Sequence, residues 1–171
     1  FFMVSFLSIS LQTSQAHASD VENSIQAKAS AAIAFKREYL KDIIIQLENQ
    51  VRALADNPFI LAYASSHAKQ ERIHLTQLFM TVSAANERYM QVRFLDAQGR
   101  ERVRIDRPRD ESELWVIPEK ALQDKSGKEY FKETKKRPHG QLWHSRFDLN
   151  RERGAIEQPL NPTYRVAAPV H

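Results

Sequence analysis

Ile33, Leu40, Leu47 and Leu54 recur every seven residues, and Ile44 and Val51 come four after Leu40 and Leu47. That spacing lines the side chains up along one stripe of an α-helix. Ser19-Asp20-Val21-Glu22 reads as a capping box at its start, and Asn57-Pro58 stops it. The sequence therefore predicts one helix over 20–56, about 55 Å long at 1.5 Å per residue. A helix of that length suits a stalk or a dimer spine, and equally one packed along its own domain. Both readings stay open at this point.

Ahead of it, Phe1 to Leu11 is rich in apolar residues, and no charge occurs before Asp20. Such a run is too short for a bilayer core, which takes roughly 20 residues. It fits the clipped end of a membrane helix or of a signal segment, and Ala16-His17-Ala18 matches a small-x-small cleavage pattern. Residues 1–18 are expected to be that segment, in a fragment of a longer chain. Residues 19–171 are expected to lie outside the cytoplasm, anchored to the membrane.

The order after the long helix is helix, hairpin, short helix, two strands. Pro58 opens a second helical stretch that runs to about Asn86 with a break near Ser65-Ser66. The period then changes to two. Tyr89–Leu95 and Glu101–Asp106 read as the arms of a hairpin turning at Asp96–Gly99. Leu114–Ile117 is a short apolar run, and Ser126 to Lys136 reads as a short helix. Gln141–Leu149 and Thr163–Val170 read as strands, with a polar turn over Asn150–Gly154. Helices first and antiparallel strands later predict an α+β fold, with helices on a sheet. The boundaries drawn from sequence are 1–18 for the clipped segment, 19–57 for the stalk helix and 58–171 for one further module.

Composition closes several routes. Of 171 residues none is Cys, which removes disulfides, thiolate metal sites and cysteine nucleophiles. Four glycines leave little from which to build a phosphate-cradling loop, and the common catalytic signatures are absent. No enzymatic activity and no cofactor are expected of this segment. His67, Glu71 and His74 are spaced four and three apart, as if to share one helical face at metal-ligand spacing. Lys69, Gln70 and Arg72 around them favour a solvated surface, and no metal is expected.

The net charge is +4. Arg100, Arg102, Arg104, Arg107 and Arg109 are interleaved with Glu101, Asp106 and Asp110, and Lys125, Lys128, Lys132, Lys135, Lys136 and Arg137 with Asp124, Glu129 and Glu133. Mixed signs argue against nucleic acid, which wants a continuous positive stripe. Most of these residues are expected to be solvated. A few that alternate inward could line an anion pocket.

Several ordered motifs carry a family resemblance over residues 90–170. They are Arg93-Phe94-Leu95-Asp96-x-x-Gly99-x-Glu101-x-Val103-Arg104, Leu122-Gln123-Asp124-Lys125-Ser126-x-x-x-Tyr130-Phe131, Ser145-x-x-Asp148-Leu149-Asn150-x-Glu152-x-Gly154 and Pro162-x-x-Arg165-x-Ala167-x-Pro169-Val170. Together they resemble the membrane-distal module of a double Cache sensor domain, the extracytoplasmic PAS-like fold of bacterial receptors. The resemblance implies a histidine kinase, diguanylate cyclase or chemoreceptor at the bacterial inner membrane, with this segment in the periplasm or extracellular space. It also implies one more closing strand beyond Val170, so that the module is incomplete at its C-terminus. A small-molecule pocket is implied, lined by Tyr130, Arg165, Ser145, Trp143, Phe131 and Asp148, with Lys125 and Lys128 at its rim. The Tyr-x-x-x-x-Arg-x-Trp-Tyr pattern of the amino-acid-binding subclass is absent, which speaks against an amino acid; the expected ligand is a small anionic molecule, small carboxylates among them. The competing expectation is a ligand-free module that dimerises through the long helix or binds a partner protein.

Overall fold

The computed structural model describes the backbone of residues 3–108, 113–152 and 155–171, with side chains from residue 21 onward except at 152. Arg109, Asp110 and Gly154 lie outside the described residues. The chain divides into two compact units, Phe1–Gln46 and Leu47–His171.

Helix α1 runs Met3–Ala55. The expected helix over 20–56 is present, but Ser19 does not start it. No Pro or Gly precedes Ser19 to break the chain, so the capping residues lie inside the helix. Among the described residues no helix is long and apolar enough to cross a membrane. In the first unit Ile33 is 61% and Leu40 47% exposed. In the second, Leu54 packs against the core. The seven-residue stripe thus divides between solvent and the module's own interior.

Asn57 caps the next helix through its side-chain oxygen, which accepts from the Phe59 N–H at 2.9 Å. Pro58 takes the first turn of α2 (Pro58–Ser66), where its missing N–H costs nothing. His67 then adopts a left-handed conformation with φ 52°, and α3 (Lys69–Ala85) starts anew. This is the break expected near Ser65-Ser66. It also corrects the metal-like spacing: His67 sits in the connection, off the helix that carries Glu71 and His74.

The hairpin forms as read. Strand β1 (Gln91–Leu95) pairs antiparallel with β2 (Glu101–Asp106), and β3 (Trp115–Val116) flanks β2 on its other side. One face of β1 and β2 presents Phe94, Val103 and Ile105 to Ile60, Tyr63, Leu75 and Phe79 of α2 and α3. Tyr63 meets Phe94 edge-on at 5.4 Å between ring centres. A bulge between Phe94 and Leu95 shifts the register, so that Glu101 opposes Leu95. That shift brings Glu101 to the face of Arg93 and Arg104, away from the core.

Asp96 organises the turn. Its carboxylate accepts from the N–H groups of Gln98 and Arg100, each at 2.9 Å, and from the Arg102 guanidinium at 2.7 Å. Gly99 has φ +85°, and a Cβ there would stand 2.7 Å from the Ser126 Cα, so both conformation and space demand glycine. Burial pushes the Asp96 carboxyl up, but those hydrogen bonds outweigh it and leave the group below its ordinary value of 3.8. A carboxyl depressed on folding stabilises above its unfolded pKa and loses that contribution as pH falls through the folded one. Asp96→Asn is therefore expected to flatten the loss of stability below about pH 4. Urea titrations from pH 6 to pH 2 measure it, and parallel curves for both proteins would contradict it.

Beyond α4 (Glu129–Lys135) the chain forms a two-stranded ribbon. Strand β4 (Trp143–His144) pairs with β9 (Val166–Ala167), β5 (Asp148–Leu149) with β8 (Pro162–Thr163), and β6 (Arg151–Glu152) with β7 (Ala155–Ile156). The expected strands over 141–149 and 163–170 are thus broken into two-residue pieces. The Ser145 side chain takes the Arg165 N–H at 2.8 Å, and Pro162 offers no N–H to the ladder. Instead of a simple polar turn, the stretch after Asn150 continues the pairing through β6 and β7.

Candidate functional site

On the sheet face opposite the core lies a covered charge network. The Glu101 side chain is fully buried, and that of Arg104 is 9% exposed. Arg93 Nη1 donates to Glu101 Oε1 at 2.9 Å and to the Tyr130 hydroxyl at 3.3 Å. The Arg93 guanidinium stands 5.9 Å over the Tyr130 ring. Arg104 Nη1 lies 3.7 Å from Glu101 Oε2, and the same oxygen accepts from the Gln123 N–H at 3.0 Å. On its other side Arg104 forks onto Asp106 at 2.8 and 2.6 Å, and Gln91 joins Asp106 at 2.7 Å. Glu101 and Asp106 therefore neutralise two arginines that the sheet could not otherwise cover.

Lys125 differs. Its ammonium donates to the Gln123 side-chain oxygen at 2.5 Å, and among the described residues no carboxylate lies within ion-pair distance. Burial first, then the cations Arg93, Arg104 and Lys128, push the Lys125 amine below its ordinary value against the opposing pull of Glu101. Tyr130, which caps the network from α4, is pushed up, chiefly by burial and further by Glu101, against Arg93, Arg165 and Arg104. Trp143 closes the apolar side, its ring centre 6.1 Å from that of Tyr130.

Of the residues expected from sequence, Tyr130 and Trp143 are brought together here, Lys125 is close enough to Arg93 and Glu101 for their charges to act on it, and Arg165 is close enough for its charge to act on Tyr130. The Arg165 guanidinium also donates to Asn150 Oδ1 at 2.8 Å. Ser145 Oγ is engaged by the Arg165 backbone. Phe131 packs against the Gly99 turn, with the Lys135 ammonium 5.8 Å from its ring. Lys128 is exposed just before α4, and the exposed Asp148 carboxylate accepts from the Leu149 N–H at 2.7 Å. Sequence reasoning expected most of the arginines over 100–109 in solvent and a few turned inward, as Arg104 is, and it did not single out Arg93 as a site residue. It also passed over Glu101 and Gln123. The alternation of Arg93 with Val92 and Phe94, and of Arg104 with Val103 and Ile105, was the available signal.

Helices packed on an antiparallel sheet, with a covered polar network on its other face, make an α+β module. The model of the bacterial histidine kinase sensor domain matches residues 23–171, and the chain belongs to that family. Among solved structures it is similar to the extracellular domain of a protein described as a histidine kinase, vpHK1S-Z8. The identity is 28% and the TM-score 0.78, over 90% of this chain and 54% of that one. It is also similar to a domain of a protein described as a sensory box/GGDEF family protein from Vibrio parahaemolyticus. There the identity is 30% and the TM-score 0.69, over 79% of this chain and 50% of that one. The chain thus spans about half the length of each. No curated protein matches it. The family model is that of a sensor domain, and the first of these structures is an extracellular domain.

Proposed function

We propose that this chain is the extracytoplasmic part of a membrane-anchored bacterial receptor, and that the cluster around Arg93, Lys125, Tyr130 and Trp143 binds a small carboxylate. Lys125 carries the reading. It is a half-buried ammonium without a carboxylate partner among the described residues, beside arginines whose own charge is already matched by Glu101 and Asp106. An incoming carboxylate supplies the missing charge, and Tyr130 and Trp143 offer an apolar wall to the rest of the molecule. Arg165, Ser145, Lys128, Phe131 and Asp148 remain as the outer boundary of this site. The output of the whole receptor, kinase or diguanylate cyclase, belongs to the same proposal.

A thermal-shift series with acetate, pyruvate, succinate and citrate, with putrescine as the cationic control, tests it. A ligand at 100 times its dissociation constant adds about 2.7 kcal/mol, a shift of several degrees. At least one carboxylate is expected to give it and putrescine none. A flat response to all four acids would overturn the reading.

The exposed Ile33 and Leu40 favour a second role for α1 as the contact between two copies. Leu40→Glu would place a carboxylate in that seam, at a cost of several kcal/mol if it is buried. Sedimentation is expected to show a dimer for the parent chain and a monomer for the variant. A monomeric parent chain rules this contact out.

A further inference from the structure

Glu48 and Arg52 in the last turns of α1, and Asp56 just past its end, stand four residues apart on one side of the chain. Each reaches the same segment of the chain. Asp56 Oδ1 lies 2.7 Å from His139 Nε2, Arg52 donates to the Gly140 carbonyl, and Glu48 Oε1 lies 3.8 Å from His144 Nε2. As the chain runs from 48 to 56, its partners run back from 144 to 139, so the three contacts form an antiparallel polar zipper. The His144 ring is fixed from behind, its Nδ1 2.9 Å from the Tyr164 hydroxyl. Glu48 acts on that phenol too, which burial and then this carboxylate push up.

The segment so gripped is the one that carries Trp143. Strand β4 has two residues, and successive strand residues point to opposite sides. Trp143 meets Tyr130 at the candidate site, and His144 meets Glu48 on α1. The pairs Trp143↔Ala167 and His144↔Val166 tie both to β9, so the two side chains are carried on one paired backbone.

We propose that β4 is a lever between the candidate site and α1: what displaces Trp143 moves His144, and the zipper passes that displacement to residues 48–56. Individually the contacts are exposed and weak. Their alignment on one side of the chain makes them act together. This rests on the site assigned above, and its test uses no ligand, so that it can fail or succeed whether or not a carboxylate binds.

Hydrogen exchange read by mass spectrometry over residues 47–57 provides the test. Trp143→Ala is expected to speed exchange there by about threefold or more in the parent chain, and by less than about 1.5-fold in a His139→Ala/His144→Ala background. Protection of Leu75–Phe79 in α3 serves as the control for an intact fold. Should Trp143→Ala lose that protection, Trp143→Phe is read by the same criterion. Unchanged exchange over 47–57, or an equal increase in both backgrounds, would overturn the proposal.

Discussion

Glu101→Gln is expected to lower the stability of the module by about 3 kcal/mol, the cost of breaking a buried ion pair from one side. The glutamine keeps the shape and can still accept from the Gln123 N–H. What disappears is the negative charge that Arg93 meets at 2.9 Å and Arg104 at 3.7 Å. Arg104 retains Asp106, so most of the damage falls on Arg93, left partly buried against Tyr130 without a counterion. Urea denaturation reads the loss as a lower midpoint at unchanged slope. Pairing the change with Arg93→Met removes the orphaned charge, and the double variant is expected to be more stable than the sum of the two single losses. A loss below about 1 kcal/mol for Glu101→Gln would mean that the network is hydrated and contributes no more than a surface pair.

Lys125→Met separates stability from binding. Methionine preserves the apolar stem and removes an ammonium that folding disfavours, its amine being held below the ordinary value chiefly by burial. Stability is expected to hold or rise. Affinity for the carboxylate found in the thermal series is expected to fall about 30-fold, the equivalent of 2 kcal/mol for losing a desolvated charge partner. Calorimetric titration of parent and variant with that acid measures it. Equal affinities would remove Lys125 from the site.

The parts legible in the sequence are those with local causes. Asn57-Pro58 marks a helix start because its cap and its fixed backbone angle act within three residues. Asp96–Gly99 marks the hairpin because one carboxylate and one glycine suffice to turn it. The ribbon is less legible, since its strands are two residues long and no alternation can accumulate over them. The charge network was hidden for a different reason. Arginines that alternate with apolar residues read the same whether water or α4 covers them, and only the contact between Arg93 and Tyr130, 37 residues apart, decides. Glu101 was the least legible, because a one-residue bulge, absent from any sequence pattern, turns it onto the arginine face. His67 shows the converse: a spacing of four and three predicts a shared face only while one helix continues, and here it stops at Ser66.

The central claim, that the covered face of the hairpin is where a small carboxylate is sensed, is tested most directly by monitoring backbone amide shifts in a titration with acetate, pyruvate, succinate and citrate. The account predicts that one of these acids moves the amides of residues 91–95, 101–106, 123–131 and 143–145 along a single saturable curve, while those of 21–45 stay in place. Shifts scattered over the exposed lysines without saturation, or none at all, would contradict it.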